Sequence, residues 1–137
     1  MKTFLDANIL VAVLNKEYPL FSCASRILSL NKNKNFQLFT SPICLAIAFY
    51  FAEKKSGATL AGKKIALLVS NIHISPTNKE AVLKTISNRK VIDFEDRLEY
   101  YSALESGCQT IITEDKGDFY FSEIEVLSCQ EFMEKYL

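Results

Sequence analysis

Acidic side chains stand where apolar runs hand over to the next element. Asp6 closes the run Thr3-Phe4-Leu5, and Asp96 lies in Asp93-Phe94-Glu95-Asp96-Arg97-Leu98, which opens an amphipathic helix. Asp115 and Asp118 follow the run Thr110-Ile111-Ile112-Thr113 directly. In an open parallel sheet the ligand crevice lies outside the carboxyl ends of the strands, so carboxylates far apart in sequence converge there. Converging carboxylates are hard oxygen donors suited to Mg²⁺ or Mn²⁺, and such an ion prepares a water for attack on phosphorus.

Each acid also has a purely structural reading. Asp6 follows a strand, a favoured place for an N-cap. Asn8 sits in the first turn of an apolar helix, either as a surface polar residue or as a partner that orients Asp6. Asp93, Glu95 and Asp96 lie at a helix N-terminus, where the dipole stabilises negative charge without any function. Asp96 stands out because Tyr100, Ala103 and Gly107 continue its face into the core, and a carboxylate at the end of a buried face needs a partner. Asp115 and Asp118 share a short loop of the kind that is often a solvated turn. The recurrence of acids at several strand exits is what favours a metal site.

Other chemistries have less support. His73 is the only histidine and falls in a predicted central strand, where a satisfied core residue is expected rather than a catalytic base. No G-x-G-x-x-G, P-loop or zinc spacing is present. A phosphatase-like site would want a second acid two residues after Asp6, and that residue is Asn8.

The elements that must position these residues alternate between strand and helix. Lys2 to Leu5 reads as a strand and Ala7 to Leu14 as a helix; Pro19 opens a second helix to about Leu30, followed by the loop Asn31 to Asn35. A second strand, Phe36 to Thr40, leads through Ser41-Pro42 into a strongly apolar helix, Ile43 to Lys55, which Gly57 stops. Helix continues over Thr59 to Ser70, then comes a short strand, Asn71 to Ile74. Thr77 and Glu80 have capping-box spacing for a helix through about Ser87, and Asn88-Arg89-Lys90 is a break. The remaining elements are a helix from Phe94 to Ser106, a strand from Gln109 to Thr113, a loop from Glu114 to Ser122, a strand from Ile124 to Leu127 and a terminal helix capped by Ser128 and Glu131. This alternation predicts a parallel sheet of about five strands with helices on both faces.

The chain has 137 residues, 49% of them hydrophobic, which predicts a single domain over 1–137 with ample core. Its 16 basic and 16 acidic side chains cancel, so no global field draws it to nucleic acid, and any polyanion must be held by a local patch. Lys32 with Lys34, Lys54 with Lys55, Lys63 with Lys64 and Arg89 with Lys90 are the local basic groups. Cys23, Cys44, Cys108 and Cys129 lack C-x-x-C spacing and read as reduced apolar residues. No apolar run reaches the roughly 18 residues a span needs, so a cytoplasmic protein without membrane partners is expected.

Over nearly its whole length the sequence resembles the PIN domain, the fold of many small metal-dependent ribonucleases and of numerous toxins of bacterial toxin–antitoxin pairs. Phe4-Leu5-Asp6-Ala7-Asn8-Ile9-Leu10 resembles that family's opening strand with its aspartate and asparagine. Asp93-Phe94-Glu95-Asp96 with Tyr101-Ser102-Ala103-Leu104-Glu105-Ser106-Gly107 resembles its third acidic motif, and Thr113-Glu114-Asp115-Lys116-Gly117-Asp118-Phe119 its fourth. The resemblance implies a three-layer α/β/α sandwich in which Asp6, Asp96 and Asp115 hold Mg²⁺ or Mn²⁺. It makes Asp118 a fourth catalytic acid, with Asn8 and Thr113 standing behind the ligands. RNA is the implied substrate, with an antitoxin and a second copy of the chain as the partners to look for.

One motif departs. The family's glutamate early in the helix after the second strand aligns with Ile47, and Glu53, six residues on, is about 9 Å up the axis and about 120° around it. That loss leaves a second reading, a catalytically impaired PIN fold that binds RNA or protein, and it argues for one ion rather than two.

Overall fold

The computed structural model describes residues 1–89 and 93–137. Five parallel strands, β1 (Lys2–Leu5), β2 (Gln37–Thr40), β3 (His73–Ile74), β4 (Thr110–Ile112) and β5 (Glu125–Leu127), form one sheet in the order β3-β2-β1-β4-β5. The described helices are α1 (Ala7–Leu14), α2 (Leu20–Leu28), α3 (Pro42–Ser56), α4 (Ala58–Val69), α5 (Lys79–Ser87), α6 (Phe94–Glu105) and α7 (Cys129–Tyr136), with 3-10 turns at Ser29–Lys32 and Lys116–Phe119. The crossovers β1 to β2 and β2 to β3 run one way along the sheet and β3 to β4 runs back. Right-handed crossovers therefore put α1 to α4 on one face and α5 and α6 on the other, which is the three-layer sandwich. The reversal falls between β1 and β4, and the crevice outside their carboxyl ends is where this topology places a site.

Burial drives the layers together. Phe4, Leu5, Leu38, Ile111 and Ile112 are buried on the strands, and Ile9, Leu10, Ile27, Ala48 and Phe132 face them from the helices. Helix α1 is only eight residues long and carries β-branched Ile9, Val11 and Val13, so packing rather than propensity holds it helical. Its cap is Asp6, whose carboxylate accepts from the Ala7 amide at 2.6 Å. Register fixes the strand exits: Leu5 sits opposite Ile112, the Asp6 amide donates to the Ile112 carbonyl at 3.1 Å, and the Thr113 amide donates to the Leu127 carbonyl at 3.0 Å. Asp6 and Thr113 are thereby neighbours at the carboxyl edge.

Three local expectations are corrected. His73 lies on the edge strand β3, exposed and stacked on the Phe39 ring at 5.0 Å, because β3 pairs only with β2. The cap of α5 is Asn78, which accepts from the Ala81 amide at 3.0 Å, in place of a Thr77–Glu80 box. The start of the predicted loop 31–35 is drawn into the 3-10 turn Ser29–Lys32, since buried Leu30 anchors it to the core. The Ser128–Glu131 capping box is formed as the spacing indicates. All four cysteines are free. Among the described residues no helix is long and apolar enough to cross a membrane.

Candidate metal centre

At the switch point the strand exits and the first turns of α1 and α6 surround a cleft of about 560 Å³. Asp6, Asp96, Asp115, Asp118 and Asn8 all line it, and Asp93, Glu95, Glu99 and Glu17 line it with them. Among the described residues the lining thus holds eight carboxyls and no basic side chain. Arg97, the one cation in the first turns of α6, turns away and donates to the Thr85 carbonyl at 2.8 Å. None of the described lysine pairs lines the cleft, and Lys90 lies outside the described residues.

One half of the site is a hydrogen-bonded frame. The Thr113 hydroxyl is fully buried and donates to Asp6 Oδ2 at 2.7 Å. Asn8 Nδ2 reaches three oxygens: Thr113 Oγ1 at 3.1 Å, Asp115 Oδ2 at 3.2 Å and Asp6 Oδ2 at 3.4 Å. The loop folds back on the same frame, because the Asp115 amide donates to Thr113 Oγ1 at 3.0 Å and the Glu114 amide to Asn8 Oδ1 at 3.3 Å. Asn8 and Thr113 therefore tie Asp6 to Asp115 across more than a hundred residues of chain. Asp118 follows in the 3-10 turn, exposed at the rim, its amide bonded to the Asp115 carbonyl at 3.0 Å.

The other half comes from α6. Asp93 caps the helix by accepting from the Asp96 amide at 3.1 Å, so Asp96 enters the cleft from the first turn. Partial burial first, then the charges of Asp93, Asp118, Asp6 and Glu95, push the Asp96 carboxyl up to about 7. Burial and the charges of Asp93 and Asp6 also raise Glu95. For Asp118, desolvation leads and the Asp115 charge follows, again raising the carboxyl. Desolvation together with like charges close by gives this pattern, and a cation held among them would oppose it.

Sequence reasoning misses the most buried acid of all. Glu99 is 1% exposed, and its Oε2 has no hydrogen-bond partner among the described residues. Burial, then the charge of Asp6 and a hydrogen bond with it, push the Glu99 carboxyl up to about 11. Two groups of possible ligand atoms, each within 4.8 Å of one another, overlap at this residue: Asp6 with Cys44 and Glu99, and Glu95 with Asp96 and Glu99. The available signal was spacing, since Glu95 and Asp96 lie four and three residues before Glu99 on one helix face. Cys44 contributes little to such a site: burial, then the charges of Glu99 and Asp6, hold its thiol well above the usual range and keep it protonated.

Ile47 lines the same cleft from α3, half-buried against the core, while Glu53 is exposed and outside the lining. The donor set of clustered carboxylates, together with an orphaned buried carboxyl oxygen, fits a hard divalent cation.

Comparison with known proteins shows which family the chain is similar to. A family model described as the PIN domain matches residues 2–117. The sequence is 34% identical over 149 residues to Ribonuclease VapC1 of Aquifex aeolicus, covering 98% of this chain and 95% of the relative. In structure it resembles VapBC-1 of nontypeable Haemophilus influenzae, with a TM-score of 0.73 at 20% identity, over 95% of this chain and 99% of that one. A toxin–antitoxin complex from Klebsiella pneumoniae gives a TM-score of 0.71 at 16% identity, over 93% of this chain and 97% of that one.

Proposed function

The chain belongs to the PIN domain family, and from that membership we propose that it is a Mg²⁺- or Mn²⁺-dependent endoribonuclease. The observation that carries the reading is the cleft at the β1–β4 switch point, lined by eight carboxyls and, among the described residues, by no cation. An RNA backbone cannot approach such a surface unless positive charge is supplied there.

Asp6, Asp96 and Asp115 are the residues that would hold the ion. Bound there, such an ion would supply the charge that polarises a scissile phosphate and lowers the pKa of a water for attack. The protein's own contribution is to aim the ligands. Asp6 Oδ1 accepts from the Ala7 amide, and Oδ2 accepts from the Thr113 hydroxyl and more distantly from Asn8 Nδ2, so the carboxylate is held in one orientation at the cleft. Asn8 holds Asp115 Oδ2 in the same way, and Asp118 at the rim would orient the water. The cleft is also lined by Tyr18 and Phe51, which are 70% and 45% exposed. Rings beside a phosphate-cleaving centre suit unpaired bases, so the substrate class is single-stranded or looped RNA.

The named relative is a ribonuclease and a structural neighbour is a toxin–antitoxin complex. By that likeness we take this chain to be a cytoplasmic toxin with an antitoxin encoded beside it; pairing as a homodimer is a further part of the proposal. Co-purification with the product of a neighbouring small open reading frame tests this. Cleavage of single-stranded RNA by purified protein, lost on chelation and in Asp6→Asn, tests the nuclease itself. The rival, a silent RNA- or protein-binding module, rests on Ile47. Wild-type protein that binds RNA but cleaves none with Mn²⁺ present would select it.

A further inference from the structure

Of the four lining acids to which the nuclease reading gives no role, Glu17, Asp93 and Glu95 are exposed and Glu99 alone is buried. Glu99 is carried by α6, the helix that also presents Asp96, and it lies about 60° around the axis from Asp96 and about 40° from Glu95. Its side chain is among the largest fully buried ones in the protein, yet Oε2 is unpartnered among the described residues. A polar atom removed from water without a partner is costly, and such an atom inside a site points to a ligand. Glu99 is also the residue common to both groups of clustered ligand atoms, one reaching Asp6 at the end of β1 and the other Asp96 on α6. Its carboxyl lies within 4.8 Å of Cys44, in the first turn of α3, one turn before Ile47.

We propose that Glu99 is a further carboxylate ligand of the ion, supplied by α6 in place of the one that Ile47 denies from α3. The proposal rests on the reading of the cleft as a metal-dependent nuclease site. The two helices touch, so a side chain from α6 reaches the space that a glutamate at position 47 would enter from α3. Isoleucine at 47 and glutamate at 99 are then two halves of one exchange: the apolar residue fills the α3 side, and the acid arrives from across the cleft. The competing account makes Glu99 a prop that positions Asp6 by a hydrogen bond and never meets the ion.

The test is calorimetric Mn²⁺ titration of metal-stripped wild type, Glu99→Gln, Asp6→Asn and the double variant Ile47→Glu with Glu99→Gln, alongside Mn²⁺ anomalous diffraction from wild-type crystals. Loss of an outer-shell partner alone costs roughly 10- to 100-fold in affinity, so Glu99→Gln is expected to lose about 100-fold. The double variant should recover most of that loss, because a carboxylate returns to the site. In the crystal the ion should have a Glu99 oxygen in its coordination shell. Glu99→Gln binding Mn²⁺ as tightly as wild type, while Asp6→Asn does not, overturns the assignment of Glu99 and leaves the nuclease reading standing. An ion held by Asp6, Asp96 and Asp115 with Glu99 outside its shell does the same, even if Glu99→Gln cannot be folded. Wild type that neither binds Mn²⁺ nor cleaves RNA overturns both.

Discussion

Replacing Glu99 by glutamine should make the metal-free protein more stable, and the gain should grow with pH. In the folded chain the Glu99 carboxyl is pushed from 4.5 to about 11, by burial first and by Asp6 second. The folded pKa lies above the unfolded one, so between those limits the folded protein holds a proton that the unfolded chain releases. Stability from this group is therefore full below about pH 4.5 and falls as pH rises toward 11. The slope is about 1.4 kcal/mol per pH unit, and at 1% exposure solvent screens little of it. From pH 5.5 to 7.5 the wild type should lose on the order of 3 kcal/mol relative to Glu99→Gln, whose amide does not titrate. Against a typical total of about 5–15 kcal/mol this is readily measured. Urea unfolding in chelator at the two pH values is the assay, and the difference between the midpoints should widen by roughly 1–2 M. Other titrations are common to both proteins and cancel to first order. A difference that stays constant with pH would mean that Glu99 ionises freely in the folded protein, and the argument from burial and from Asp6 would fail. Added Mn²⁺ should narrow the gap by favouring the ionised ligand in the wild type.

Asp96→Asn should leave metal-free thermal stability at pH 8 unchanged or higher, because the wild-type carboxyl is raised from 3.8 to about 7 and costs stability as pH rises through that window; Mn²⁺ affinity by calorimetry should fall. Thr113→Val strips a hydroxyl that bonds Asp6, Asn8 and the Asp115 amide, so a loss of about 1–3 kcal/mol in unfolding free energy is expected, with weaker Mn²⁺ binding. Tyr18→Ala should raise KM for single-stranded RNA several-fold with little change in kcat or melting temperature, since the ring is 70% exposed and lines the cleft.

Much of the scaffold is legible in the sequence because it is local. The run Lys2–Leu5, the glycine stop after α3 and the Ser128–Glu131 box each specify their element through a few neighbouring residues. What local pattern does not carry is which strand pairs with which. His73 in an apolar strand looks central until the order β3-β2-β1-β4-β5 puts that strand at the edge. Position 78 shows the same limit on a smaller scale. Thr77 and Asn78 are both good caps, and the choice between them depends on where the chain leaves Pro76, which the capping pattern alone leaves open.

The site divides along the same line. Asp6, Asp96, Asp115 and Asp118 announce themselves by standing at element boundaries, and Asn8 and Thr113 by standing next to them. Glu99 has no such mark. It falls inside α6, flanked by Leu98 and Tyr100, where a lone glutamate is ordinarily assigned to the solvent side because unpaired carboxylates are almost never fully buried. Its meaning depends on Ile47, some fifty residues earlier. Matching motif positions one by one records Ile47 as a loss and has no column in which to enter a gain on another helix. The proposed exchange becomes visible only where α3 and α6 come into contact and Glu99, with its orphaned oxygen, lines the same cleft as Ile47. An acid that is expensive to bury without a cation, held in the one place where a cation is called for, is better explained by the ion than by the fold.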